Sequence, residues 1–442
     1  MKSLLIHSGR IIDPSQGIDE IGNLLITEGK ISWLGRGEIT PSQPDYDVLH
    51  AGGLIVCPGF IDLHCHLRQP GFEEKETIAT GTRSAARGGF TTICCMPNTN
   101  PPLDNEATVC YVKSEAALNS VVRVLPIGCI SKGRKGEELA PMGELASAGV
   151  IAYSDDGEPV VNSRLMRQAL DYSCVFGLPV IDHCEDTALT EGGQMNKGII
   201  STRLSLRGIP AAAEEIIVAR DLALAQLTGG RLHIAHTTTE GSVDLIRRAK
   251  EKGIRVTAEV TPHHLTLTEE AVIGYDTNAK VNPPLRTKRD IQALIQGLKE
   301  SVIDIIATDH APHTEADKLC EFALAPFGIS GFETALGSLM SLVHDRQLTL
   351  TTLIAKLTCE PAKIIGNKYD KLGTLAIGAS ADVTLFDPAL DWVVDTKSFA
   401  SKGKNTPLAG SMLKGKVMAT ISQGKLVYKD DSIKVEGDRV SR

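Results

Sequence analysis

Histidines and aspartates in this chain recur where apolar runs end. Asp62-Leu63-His64-Cys65-His66 closes one run, Asp155-Asp156 another and Asp182-His183 a third; His236 follows a fourth, and Asp309-His310 ends a fifth, with His313 close behind. Extended backbone sends successive side chains to opposite faces, so His64 and His66 share a face while Cys65 points away. Two imidazoles on one face are placed to share a metal ion. The HxH pair alone would be a weak sign of one. Joined by His183, His236, Asp309 and one of Asp155 and Asp156, it becomes a donor set of four imidazoles and two carboxylates, which suits zinc. Six such groups are enough for two ions about 3.5–4 Å apart, a spacing that prepares water for attack. Other histidines read differently. His233, alone in an apolar run, is expected to be a hydrogen-bonded core residue. His263 and His264 read as structural supports, and His310 as a residue behind the site rather than in it.

A site gathered from run ends needs a scaffold that brings those ends together. Eight strand-like apolar runs occupy the middle of the chain: 59–66, 91–96, 123–130, 149–154, 179–184, 231–235, 255–260 and 303–308. Between them, 74–87, 107–119, 163–175, 214–227, 243–252 and 288–298 carry apolar residues at helical spacing. Near-continuous apolar strands joined by helices indicate a parallel sheet covered on both faces. Eight units in about 260 residues fit a (β/α)₈ TIM-type barrel, whose active sites lie at the C-terminal ends of the strands. Residues 1–57 and 371–442 have another texture, short strands punctuated by glycine. They are expected to form one small β-sandwich domain built from both termini, around a barrel at 58–370.

Composition narrows the function classes. The 442 residues are 42% hydrophobic and 23% charged, which provides for a large core, and the net charge of −8 speaks against nucleic acid as a partner. The basic residues Lys132, Arg134 and Lys135 read as a solvated loop. Met1 and Lys2 lead into an apolar stretch that His7, Ser8 and Arg10 interrupt, so no export signal is expected. No run approaches the roughly 18 apolar residues of a membrane span. Ten cysteines without a leader sequence suggest reduced thiols in a cytoplasmic protein, and the absence of a CxxC pair speaks against a cysteine-based zinc knuckle.

Several separated motifs resemble the dihydroorotase branch of the amidohydrolase superfamily. They are Asp62-Leu63-His64-Cys65-His66-Leu67-Arg68, Gly88-Gly89-Phe90-Thr91-Thr92 with Met96-Pro97-Asn98-Thr99, His183-Cys184-Glu185, Thr261-Pro262-His263-His264, Lys280 to Arg286, and Ala307-Thr308-Asp309-His310-Ala311-Pro312-His313. The resemblance implies zinc, two ions per subunit, held by His64, His66, Asp156, His183, His236 and Asp309. Asp156 would bridge the ions, and Asp309 would double as general acid and base. It implies that Arg68, Asn98 and His313 bind the substrate carboxylate, and that Asn282, Phe327 and Gly328 contact the substrate. The activity implied is the reversible cyclisation of N-carbamoyl-L-aspartate to (S)-dihydroorotate in pyrimidine synthesis. The family also suggests a homodimer and an association with aspartate transcarbamoylase. Hydantoinases, dihydropyrimidinases and allantoinases are the alternative enzyme class, and a non-catalytic scaffold of the transcarbamoylase is another. The first two use a carbamylated lysine at the fourth strand, whereas 149–157 contains no lysine and offers two aspartates.

Overall fold

The computed structural model describes residues 2–37, 46–366, 369 and 371–437. Met1, Asp370 and Arg442, where expected domain limits or the leader reading fall, lie outside the described residues. Each of the eight expected runs overlaps a strand. In chain order these are β1 (Phe60–Cys65), β2 (Phe90–Cys95), β3 (Arg123–Pro126), β4 (Tyr153–Ser154), β5 (Val180–Asp182), β6 (Leu232–Ile234), β7 (Val256–Val260) and β8 (Ile305–Ile306).

All their pairings are parallel. One ladder runs β1–β2–β3 and another β4–β5–β6–β7–β8. Single parallel bridges link Gly128, beyond β3, to Tyr153 of β4, and Cys65 of β1 to His310, beyond β8. Strands buried on both faces select apolar side chains throughout, which is why β1 and β2 are buried at every position.

The fourth strand is much shorter than its apolar run. Gly149, at φ 100°, caps the helix Met142–Ala148 in the left-handed region, and the Val150 N–H turns back to Leu145 O. The first residues of the run therefore complete a helix end and leave only two for the ladder.

Helices stand where helical periodicity placed them, among them Ile78–Arg87, Glu106–Asn119, Ser163–Phe176, Ala212–Thr228, Glu240–Glu251 and Lys288–Lys299. Their starts are set by side chains that satisfy otherwise orphaned N–H groups: Thr77 and Thr287 form capping boxes, and Asn162 accepts from Arg164 N and Leu165 N. Phe60, Phe90 and Phe332 pack in sequence between strands and helices, edge-to-face and then tilted, with ring centroids 5.7 and 5.3 Å apart. Removing one of these fully buried rings would cost about 3–5 kcal/mol.

The terminal stretches share one sheet, nine-stranded among the described residues. The strand Ile55–Pro58 is its seam: it pairs in parallel with Arg10–Ile11 and antiparallel with Val383–Phe386. Hydrogen bonds from Thr384 Oγ1 to Gly89 O and from Thr420 Oγ1 to Ala86 O fasten this sheet to the turn between the first helix and β2. Gly89 sits there at φ 88°, and a Cβ would come within 2.8 Å of both Phe60 and Thr384, so glycine is required. No described helix is long and apolar enough to cross a membrane.

Candidate active site

Five strand ends converge. His64 is the fifth residue of β1 and His66 follows that strand; Asp156 lies two residues past β4, His183 directly after β5, His236 two past β6 and Asp309 three past β8. All six are buried. The Asp156 carboxylate stands at their centre and divides its oxygens between two histidine pairs. Its Oδ2 is 3.2 Å from His64 Nε2 and 3.5 Å from His66 Nε2; its Oδ1 is 3.3 Å from His236 Nε2 and 3.8 Å from His183 Nδ1. Asp309 Oδ1 adds contacts of 2.9 Å to His66 Nε2 and 3.6 Å to His64 Nε2. The structure thus brings all six expected residues into one group.

Asp155 goes elsewhere. Its carboxylate accepts from the backbone of Ile130 and Ser131 and from Ser131 Oγ. Neighbouring residues face opposite ways, so only one of the pair can enter the cluster, and Asp156 does.

The far nitrogens of three of the four rings are tied down, that of His236 being buried without a hydrogen-bond partner. His64 Nδ1 is 2.5 Å from Glu259 Oε1, whose other oxygen takes His233 Nε2 at 3.1 Å. His66 Nδ1 donates to Asn98 Oδ1 at 2.9 Å, and His183 Nε2 to Glu185 Oε2 at 2.7 Å. Fixing one nitrogen in this way turns the other toward the common centre, the usual arrangement of a metal-ligating imidazole. There His64 Nε2 is buried with no hydrogen-bond partner. A full set of nitrogen and carboxylate donors, one orphaned and aimed inward, fits a metal ion.

Charge follows the same layout. Burial would raise the Asp309 carboxyl, but its hydrogen bond to His66 and the nearby imidazoles hold it well below the usual range. Burial acts likewise on Glu259, yet His64 and His233 bring it down to about 2. His313 moves the other way from an ordinary histidine: burial and the adjacent Arg68 push it down to about 3, so it is neutral.

Above the cluster lies a cavity of about 330 Å³. Arg68, Asn98, Asn282, His313, Phe327 and Gly328 all line it, as do five of the six clustered residues; His64 sits beneath. No lysine is among the lining residues. Arg68 Nε donates to Pro312 O, and its Nη2 lies 3.5 Å from His313 Nε2, which in turn donates to Phe327 O at 2.8 Å. Asn282 Nδ2 donates to Glu185 Oε2.

Other residues depart from their readings or were not foreseen. Arg134 is not part of a solvated loop: its guanidinium donates to Asp155 O and, at 2.7 Å, to Asp156 O, bracing the backbone that carries the central carboxylate. Lys132 does remain outside, paired with exposed Glu138. Glu259 had a visible signal, an acid inside the apolar run 255–260, and Glu185 stood in a quoted motif without a role. His310 stacks on Phe332 and contacts Glu76, behind the cluster. A further acidic group, Asp182, Cys184 and Asp221, also lies apart from it; Arg220, 2.7 Å from Asp221, already supplies the positive charge there.

Comparison with known proteins extends the picture. A family model described as dihydro-orotase-like matches residues 53–242. The dihydroorotase of Pelotomaculum thermopropionicum is 53% identical over 432 residues, covering 98% of this chain and 100% of that protein. That of Geobacter sp. strain M21 is 52% identical over 427 residues, covering 97% and 99%. Among solved structures, the L-hydantoinase (dihydropyrimidinase) of Arthrobacter aurescens superposes with a TM-score of 0.86 at 25% identity, over 97% of this chain and 96% of that one. A dihydropyrimidinase from Brevibacillus agri gives 0.82 at 23% identity, over 97% and 95%, a likeness of fold.

Proposed function

The chain belongs to the dihydroorotase family, and from that premise we propose that it interconverts dihydroorotate and N-carbamoyl-L-aspartate, opening or closing one ring amide bond. The observation that carries the reading is a single cavity joining the His/Asp cluster to Arg68, Asn98 and His313. Uncharged cyclic ureides have no use for such a set, whereas both dihydroorotate and carbamoyl aspartate present a carboxylate to it.

In this proposal His64, His66, His183, His236, Asp156 and Asp309 would hold zinc, two ions per subunit. Bound there, zinc would supply Lewis acidity, lowering the pKa of water toward about 7 and polarising the ring carbonyl. The remaining work falls to side chains. Asp309, kept ionised by its histidine neighbours, takes a proton from the attacking water and passes it to the ring nitrogen as the C–N bond breaks. Cyclisation runs the same transfers backwards and releases water. Arg68 offers the carboxylate a planar fork of donors. Asn98, whose Oδ1 is engaged by His66, has its Nδ2 to give, and neutral His313 would turn its single Nε2–H from Phe327 O to the carboxylate. Asn282, Phe327 and Gly328 complete the walls. Holding the reacting groups in attack geometry contributes several kcal/mol by itself.

The same proposal reads the eight parallel strands and their bridges as a closed (β/α)₈ barrel at 58–370, with 1–57 and 371–442 as a β-sandwich domain. A hydantoinase reading has the fold in its favour, but Asp156 stands where that chemistry wants a lysine. A scaffold role accords poorly with six intact donors. The deciding experiment measures zinc content together with turnover of dihydroorotate, carbamoyl aspartate and a hydantoin. Zinc-dependent turnover of the two carboxylates is expected; preference for the hydantoin, or a folded chain that binds no metal, would overturn the proposal.

A further inference from the structure

We infer that Asn405 is a positioning residue for the carboxylate subsite, acting through the backbone of Ala311, His313 and Gly328. The inference rests on the subsite assignment proposed above and extends it to the C-terminal stretch of the chain. Asn405 belongs to none of the eight parallel strands, yet it is buried beneath the cavity wall.

Its side chain uses all four of its ordinary hydrogen-bonding positions. Oδ1 accepts from His313 N at 2.9 Å and from Ser330 Oγ at 3.0 Å, while Nδ2 donates to Ala311 O at 3.1 Å and Gly328 O at 2.9 Å. Its backbone carbonyl accepts from Ser330 N at 2.8 Å. Reversing the amide would set its NH₂ against the His313 N–H and its oxygen against two carbonyls, so the partners dictate its orientation.

Three of those partners belong to residues that line the cavity. They come from two segments, the loop after β8 and the Phe327–Ser330 strip. The amide is a rivet between them, and the strap that carries it is tightly applied. A Cβ on Gly403 would fall 2.7 Å from Pro312 Cα and 2.8 Å from Ser330 Oγ. The His313 ring has no hydrogen bond at Nδ1, so its aim depends on its backbone and on Phe327 O. Asn405 fixes the first and, through Gly328, the neighbour of the second. Where His313 and Gly328 stand relative to Arg68 is thus set by a residue from the far end of the sequence.

The test uses the full zinc-loaded chain and compares Asn405→Ala and Asn405→Asp with Ile421→Val, a core change in the terminal sheet. Asn405→Asp keeps the shape and both acceptor contacts but turns an oxygen toward the carbonyls of Ala311 and Gly328. In both Asn405 variants KM for dihydroorotate should rise at least about 10-fold, a loss of roughly 1.4 kcal/mol in binding, with kcat within threefold and zinc content unchanged. Ile421→Val should keep the wild-type KM at whatever melting temperature it shows. A folded Asn405→Asp with wild-type KM, or a loss confined to kcat, overturns the inference. Should Asn405→Ala fail to fold, Asn405→Asp and Ser330→Ala, which deletes one partner only, carry the measurement. Wild-type protein inert toward dihydroorotate would instead sink the functional reading, so the two failures are told apart.

Discussion

Glu259 Oε1 lies 2.5 Å from His64 Nδ1, although the two residues are 195 positions apart in the chain. Behind the cluster, this carboxylate decides which His64 nitrogen faces inward and strengthens it as a donor to metal. Glu259→Gln preserves the shape and removes the charge. It should weaken zinc affinity about 10- to 100-fold, the usual cost of losing such a partner, as read by competition with a chelator. Unchanged affinity would show that the contact only packs the core.

Asp309→Asn tests the proton carrier. The amide retains an oxygen for the metal but cannot take up a proton at working pH. Zinc content should stay at the wild-type level while kcat falls by about 10²- to 10⁴-fold. Near wild-type turnover would remove Asp309 from the transfer.

Arg68→Met addresses recognition. Charge-assisted hydrogen bonds are worth about 1.5–3 kcal/mol, so KM for carbamoyl aspartate should climb about 10- to 100-fold with the melting temperature little changed. A KM equal to wild type would detach Arg68 from the carboxylate.

Lys318 supplies a pH prediction away from the cluster. Burial lowers its ammonium to about 7, with Nζ donating to the carbonyls of Thr277 and Pro326. In the unfolded chain it titrates near ~10.4. Between about 7 and ~10.4 the unfolded state therefore binds more protons than the folded one, and this residue makes stability rise with pH. Below about 7 the penalty is present in full. Chemical denaturation across pH 7–10 should show a steeper rise for wild type than for Lys318→Met, and parallel curves would contradict the assignment.

Much of the site was legible because its chemistry is written locally. The HxH alternation, the acids at run ends and the charge-poor strands each follow from a few neighbouring residues. Strand lengths were less so: the Gly149 cap takes residues from an apolar run that looks like strand throughout. Arg134 was misread because a guanidinium in a glycine-spaced loop looks solvated until its carbonyl partners, Asp155 and Asp156, are in place. Glu259 stood out as a charge in an apolar run, with nothing nearby to say what it met.

From the residues alone came the pattern of eight strand-like runs and the donors His64, His66, His183, His236 and Asp309 with one of Asp155 and Asp156, since periodicity and residue chemistry are properties of short segments. The carboxylate pocket came from the resemblance to a known family. The tertiary structure brought Asp156, the residue the resemblance implied, into the cluster and sent Asp155 elsewhere, and only the tertiary structure set Glu259 against His64 and laid Asn405 under the cavity wall. Those relations join positions dozens to hundreds of residues apart. Their distances depend on how strands and straps pack, which no single segment encodes.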